Sequence, residues 1–212
     1  MVFAVVSVES SGSTFVWQIV NALDKRRTKK AHTLFPLKPG MFVFFVYRDP
    51  RDVICSYAKR LYPDLIETEG LEAALIKAHT VLFVNLKRQN LIKTFLKAKE
   101  KQVCVIKYEN YFGGNEGLLV DTIAERMKIS LARRKRRELL QNFSIQKNKE
   151  RADQLKIFDN FDRETHIHGN HISSNGKTGI WKSMFTEKVK QIVKENLGQL
   201  LIELKYEKDL DW

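Results

Sequence analysis

A three-layer α/β domain, with a central parallel sheet flanked by helices, is the fold this sequence predicts. Three observations predict it. The runs 2–8, 41–47 and 102–107 are almost wholly apolar, as strands buried on both faces are. Helical patterns stand between and after these runs, as crossovers in a parallel sheet require. Two of the strand ends pass directly into helix-opening turns, Ser10-Ser11-Gly12-Ser13 after the first and Asp49-Pro50 after the second.

In chain order, residues 2–8 form the first strand and Ser10-Ser11-Gly12-Ser13 ends it. Val16, Ile19, Val20 and Leu23 then recur at helical spacing. Residues 28–33 read as a short strand ending at His32. The strand 41–47 leads into a helix from Pro50 to about Leu61, with Asp49 as N-cap and Pro50 at the first helical position. Asp52 follows the cap at a capping-box spacing, and Arg51 reads as a surface or helix-start residue. Leu71 to about Lys99 reads as one bent helix, and 102–107 as the third buried strand. Helices are expected near 116–128 and 131–142. Residues 144–180 are polar, with Gly and Asn, and read as a mobile loop or lid. The last helix, about Thr186 to Leu204, carries Val189, Ile192, Val193, Leu197, Leu200, Leu201 and Leu204 on one face. No repeat or low-complexity linker interrupts the chain, so 1–212 reads as a single domain.

Composition narrows the function classes. The 212 residues suffice for a full α/β core, and 43% hydrophobic with 29% charged residues is ordinary for a globular protein. No window of 18 apolar residues exists, so no membrane span is encoded. The apolar run after Met1 has neither a basic leader nor a cleavage-like site, so no signal peptide is expected. Cys55 and Cys104 sit in apolar contexts and read as buried thiols of a reducing, cytoplasmic compartment. The net charge of +12 is concentrated in Lys25-Arg26-Arg27 with Lys29-Lys30 and in Arg133-Arg134-Lys135-Arg136-Arg137. Such runs suit a polyanionic partner or, more simply for 133–137, a solvated helix face.

Two segments carry chemistry. In Ser10-Ser11-Gly12-Ser13-Thr14, small residues let backbone N–H groups approach an anion, and the helix N-terminus adds partial positive charge. The pattern G-x-x-x-x-G-K-[ST] of nucleoside triphosphatases is absent. In Tyr47-Arg48-Asp49-Pro50-Arg51-Asp52-Val53-Ile54-Cys55-Ser56, Arg48 stands at the strand's carboxyl end and Ser56 two turns into the helix. Ligands bind at the carboxyl ends of strands in open α/β sheets, so two anion sites there suggest a nucleotide phosphorylated at both ends.

With these residues in hand, the chain resembles the sulfotransferases that use 3′-phosphoadenosine 5′-phosphosulfate (PAPS), a P-loop NTPase-like fold. Ser11-Gly12-Ser13-Thr14-Phe15 resembles the family's 5′-phosphosulfate loop, and Lys30-Ala31-His32 its Lys-Thr-His segment. Arg48 to Ser56 resembles its 3′-phosphate motif, Tyr108-Glu109 a Tyr-Glu landmark, and Gly176-Lys177-Thr178-Gly179-Ile180-Trp181-Lys182 its late Gly-x-x-Gly-x-Trp-Lys segment. The resemblance implies that Ser10, Ser11, Gly12, Ser13 and Thr14 hold the 5′-phosphosulfate and that Phe15 lies near the adenine. It implies that Arg48 and Ser56 bind the 3′-phosphate, with Tyr108, Gly176 and Lys177 nearby. His32 would be the general base and Lys30 would stabilise charge on the transferred group. It further implies PAPS as co-substrate without a metal, a small-molecule or carbohydrate acceptor, and no nucleic-acid partner. The chain departs from the pattern in two places. Glu9-Ser10 stands where the family often has Lys or Arg, leaving Lys30 as the substitute cation, and Ser174-Asn175 stands where Arg-Lys is usual.

Rival readings are a small-molecule kinase using the same cradle and a non-catalytic module whose basic helices grip a polyanion or nucleic acid. His166, His168 and His171 could ligate zinc, but no acidic or Cys ligand stands at a suitable spacing, and no metal is expected.

Overall fold

The structure is a computed structural model that describes residues 1–24, 28–169, 172 and 176–212. The basic run Lys25-Arg26-Arg27, His171 and the Ser174-Asn175 pair lie outside the described residues.

Four parallel strands form the sheet: β1 (Val2–Ser7), β2 (Lys29–Ala31), β3 (Met41–Tyr47) and β4 (Val103–Lys107), in the order β2-β1-β3-β4. Side chains alternate across the strands, so β1, β3 and β4 each serve two cores. Ala4, Val6, Val43 and Phe45 face α2 (Pro50–Leu61), α4 (Leu71–His79), α5 (Lys87–Leu96) and α11 (Glu187–Glu203). Phe3, Val5, Phe42, Phe44, Cys104 and Ile106 face α1 (Ser13–Leu23), α7 (Glu116–Arg126) and α8 (Arg133–Asn142). Both faces of β1 and β3 are covered, which is why these two strands lack a polar stripe.

The expected helix boundaries hold for α2, α7, α8 and α11 to within a few residues, and α1 spans the helical spacing from Val16 to Leu23. The segment expected as one bent helix is three pieces: α4, a π-helical turn at Thr80–Val84 and α5. The break falls at Leu86, which takes a left-handed backbone (φ 58°) that no helix interior tolerates. A short α3 (Pro63–Glu69) precedes them, and α6 (Tyr108–Tyr111) follows β4 directly.

The polar segment 144–180 is not one loop. It holds α9 (Ile145–Leu155), an antiparallel pair β5 (Phe161–Asp162) and β6 (Ile167–His168), and α10 (Trp181–Met184) begins just beyond it. Ser144 caps α9 by accepting a hydrogen bond from the Lys147 N–H. What docks α9 is mainly polar. Asn148 is buried and exchanges amide hydrogen bonds of 3.1 and 2.9 Å with Gln18 on α1, and Gln18 also donates to the Thr165 carbonyl at 2.8 Å. A helix held by an amide pair leaves little apolar periodicity to read.

Arg51 is buried, contrary to its expected surface position. Its guanidinium lies 3.8 Å from the Trp181 ring centre and 4.6 Å from that of Trp212, and it pairs with Asp49 at 2.8 Å and with Glu207. Arg51 thus fastens the start of α2 to the C-terminal segment. Asp49 caps α2 through the Arg51 N–H at 2.9 Å. The other half of the capping box comes from elsewhere: Glu109 accepts from the Asp49 N–H at 2.9 Å, while Asp52 turns to the late segment.

Candidate active site

The carboxyl ends of all four strands open into one cavity of about 730 Å³. After β1 comes the loop to α1, after β2 His32, after β3 Arg48, and after β4 Tyr108. Glu9, Ser10, Gly12, Ser13, Thr14, Phe15, Lys30, His32, Arg48, Ser56, Tyr108 and Gly176 all border the cavity. Two of the sequence-nominated residues do not. Ser11 is fully buried and its hydroxyl points back to the Glu9 carbonyl at 3.4 Å. Lys177 is exposed and offers its carbonyl, not its ammonium.

The loop after β1 takes left-handed backbone at Ser10 (φ 58°) and at Gly12 (φ 82°). At Gly12 the space demands glycine as well, because a Cβ would stand 2.8 Å from the Phe112 ring and 2.9 Å from that of Tyr108. No side chain caps α1, so its first-turn N–H groups lack acceptors within the helix, as an anion cradle requires. Tyr108 stacks on Phe112 at 4.2 Å, and Phe112 meets the edge of Phe15, giving the cradle an aromatic wall.

The loop carboxylate is neutralised from a distance in sequence. Arg88 of α5 grips Glu9 through Nε at 3.1 Å and through a second, shorter bond. Burial alone would raise the Glu9 carboxyl, but the Arg88 hydrogen bond and the nearby His32 hold it below the usual range. Lys30 reaches the loop from β2, with Nζ 2.6 Å from the Thr14 hydroxyl. Burial, aided by Arg60, pushes its ammonium down to about 8.

Arg48 and Ser56 meet as their spacing suggests, with Nη1 donating to the hydroxyl at 3.2 Å. Arg48 is buried, its guanidinium sits 4.5 Å from the Tyr108 ring centre, and Nη2 donates to the Lys177 carbonyl at 2.5 Å. Asp52 lies 3.4 Å from Arg48 and accepts from the Gly179 and Trp181 N–H groups at 2.7 and 3.2 Å. It therefore ties the late segment to α2. The Arg48 Nε is buried with no partner among the described residues. A buried donor left without an acceptor is costly, and an anionic group at this point would satisfy it. The donors present fit a phosphate here.

His32 has a defined tautomer. Its Nδ1 lies 3.0 Å from the Ser7 carbonyl, which can only accept, so Nδ1 carries the proton. The Ser7 hydroxyl, 3.1 Å from the same nitrogen, adds a second contact. Nε2 is left bare. Burial, opposed by Glu9 and reinforced by Lys30, moves the imidazole below its ordinary 6.5, so it is neutral at pH 7.

The remaining histidines form no metal centre among the described residues. His166 packs tilted against Trp17, with ring centres 3.7 Å apart, and His168 stacks on Phe158 at 4.5 Å. In the 133–137 cluster, Arg134 pairs with Glu138 and Arg136 with Asp121 on an exposed face. Glu9–Arg88, Asp52's role in the late segment and Arg60 are site features that sequence reasoning missed. No local pattern marks any of them.

A parallel sheet that gathers a glycine cradle, a buried Arg and Ser pair and a Lys–His edge at its carboxyl ends defines a P-loop-like transferase. The family model of the sulfotransferase domain matches residues 37–205, and the chain belongs to that family. No curated protein sequence matches closely enough to count as a relative. Among solved structures, a retinol dehydratase in complex with androsterone and inactive cofactor PAP (adenosine 3′,5′-bisphosphate) is similar at 18% identity and TM-score 0.67, over 94% of this chain and 80% of that one. A retinol dehydratase with retinol and PAP is similar at 17% identity and TM-score 0.68, over the same shares. A mouse sulfotransferase complexed with PAP is similar at 16% identity and TM-score 0.66, over 97% of this chain and 88% of that one. The three-layer P-loop-like architecture is therefore shared with sulfotransferases. No helix among the described residues is long and apolar enough to cross a membrane.

Proposed function

We propose that the protein transfers a sulfuryl group from PAPS to a hydroxyl or amine of a small-molecule or carbohydrate acceptor. The observation that carries this reading is the delivery of a phosphate cradle, the Arg48–Ser56 pair and the Lys30–His32 edge into one cavity by the four strand ends. Gly12, Ser13 and Thr14, with the first-turn amides of α1, hold the 5′-phosphosulfate. Phe15, Tyr108 and Phe112 supply apolar surface for the nucleoside. Arg48, Ser56 and the Gly176 segment hold the 3′-phosphate. Ser10 and Ser11 shape the loop, and Lys177 contributes backbone rather than charge.

In the transfer, the acceptor oxygen or nitrogen attacks sulfur as its proton passes to His32 Nε2. The bond from sulfur to the phosphate oxygen breaks, and PAP departs with that electron pair. Nδ1–H donation to the Ser7 carbonyl fixes the ring and steadies the imidazolium that forms. Lys30 lies against the loop hydroxyl of Thr14 and offers charge to the leaving phosphate. As in phosphoryl transfer, the protein's contribution is positioning and charge. Ile145, Asn148, Phe158 and His168 border the cavity on the acceptor side. No metal and no nucleic acid enters this scheme, and the reaction suits a cytoplasmic setting where PAPS is at hand.

Thermal shift and transfer assays test the proposal. PAP should stabilise the chain more than ATP with Mg²⁺, and labelled sulfuryl should pass from PAPS to some members of a panel of phenols, alcohols, amines and glycans. Stronger stabilisation by ATP with Mg²⁺ and no transfer would point to a kinase. Salt-sensitive binding of nucleic acid without a PAP shift would point to a non-catalytic module.

A further inference from the structure

Away from the nucleotide cradle, the cavity carries a charge that no acid pairs with directly. Arg60, on the last turn of α2, borders it and is only 8% exposed. Its Nε is buried without a hydrogen-bond partner, and no hydrogen bond or ion pair links its guanidinium to any described residue. The residues outside the described set are Lys, Arg, Asn, His and Ser, so none of them can supply a carboxylate. Of the two carboxylates that border the cavity, Glu9 acts on Arg60 only through space while its oxygens are held by Arg88, and Glu116 accepts from the Gly113 and Gly114 N–H groups. Two rings flank the guanidinium, Phe158 with its centre at 5.1 Å and Tyr57 at 5.5 Å. A buried guanidinium without an acid is expensive, and its near neighbours Lys30 and His32 add no negative charge. Its charge also reaches the imidazole, which Arg60 helps to keep neutral.

Resting on the sulfotransferase reading, we infer that Arg60 is a specificity residue and that the acceptor is itself anionic. It would carry a carboxylate or a sulfo group that pairs with the guanidinium, and a flat or apolar body seated between Tyr57 and Phe158. The hydroxyl to be sulfated would then lie toward His32. The anion supplies the missing counter-charge and the missing acceptor for Nε together, as bidentate Arg recognition does.

The test uses the full chain, its PAP complex and a matched set of phenols. These are 3-(4-hydroxyphenyl)propionate, its methyl ester, tyramine and 4-hydroxybenzenesulfonate. The acid and the sulfonate should bind the PAP complex and accept sulfuryl at least about 10-fold better than the ester, with tyramine the poorest, in line with a charged hydrogen-bonded pair. Arg60→Met should erase the ratio of acid to ester, and Arg60→Lys should restore part of it. The PAP-induced thermal shift, measured on each variant, reports a folded donor side. Equal use of acid and ester by the parent, or an unchanged ratio in Arg60→Met, would overturn the inference while leaving the transferase reading intact. Failure of the parent chain to bind PAP would overturn both. The acid and sulfonate arms separate a planar from a tetrahedral anion, and preference for either supports the assignment.

Discussion

Lys30 should trade stability for catalysis, and replacing it with Met exposes both sides. Its ammonium is moved from the usual 10.5 to about 8, chiefly by burial and then by Arg60. At about 1.4 kcal/mol for each tenfold change in proton affinity, that shift corresponds to a cost of about 3 kcal/mol in the folded state. The sign follows from linkage. A base whose folded pKa is depressed weakens the fold fully below about 8, and the cost fades as pH rises from there toward 10.5. Met keeps the apolar stem and removes the charge, while the Thr14 hydroxyl loses its 2.6 Å partner at a cost of about 1 kcal/mol. Lys30→Met should therefore be more stable than the parent by about 1–2 kcal/mol at pH 7, with the gap closing toward pH 10. Transfer should fall by about 10²–10³ in kcat, the usual loss on removing one donor to developing charge. Urea titrations at pH 7 and pH 10, beside transfer rates, read both effects. A variant less stable than the parent at pH 7, or one with unchanged kcat, would refute the reasoning.

Four further outcomes follow from the same geometry. His32→Ala should lower kcat by about 10²–10⁴ while keeping the PAP thermal shift. In the parent, kcat/KM should fall on the acid side below pH 6.5, as the imidazole gains a proton, and on the alkaline side near 8, as Lys30 loses one. Gly12→Ala must hold a left-handed backbone and push its methyl group toward two rings at 2.8 and 2.9 Å, so urea titration should show at least about 1–2 kcal/mol lost, with weakened PAP binding. Arg51→Ala strands the buried Asp49 carboxylate and empties the slot between Trp181 and Trp212, and should cost about 3–5 kcal/mol. A loss below about 1 kcal/mol would show that this pair does not fasten the C-terminus.

What the sequence revealed and concealed has a physical pattern. Strands buried on both faces announce themselves as apolar runs, so β1, β3 and β4 were legible. Asp49-Pro50 signals its helix start through local chemistry, and Arg48 at the strand end stands a fixed eight-residue step before Ser56 in the helix. The concealed features depend on long-range partners. Nothing near Glu9 says that Arg88 will neutralise it, and nothing near Arg51 says that two tryptophans from the far end of the chain will enclose it. The helix α9 is hidden because a Gln18–Asn148 amide pair docks it, which hydropathy does not register. Arg60 looks like any helix-end cation in sequence. Only the fold shows that it is buried, bordered by rings and bonded to no acid.

The most direct test of the central claim is calorimetric titration of PAP against adenosine 5′-monophosphate, on the parent chain and on Arg48→Met. The two nucleotides differ only in the 3′-phosphate, which the proposal assigns to the hydrogen-bonded Arg48–Ser56 pair. The account predicts one PAP bound per chain, with the monophosphate at least about 10-fold weaker, the value of one charged hydrogen bond, and that difference abolished in Arg48→Met. Equal affinity of the two nucleotides for the parent chain, or a preference for PAP that survives in Arg48→Met, would contradict it.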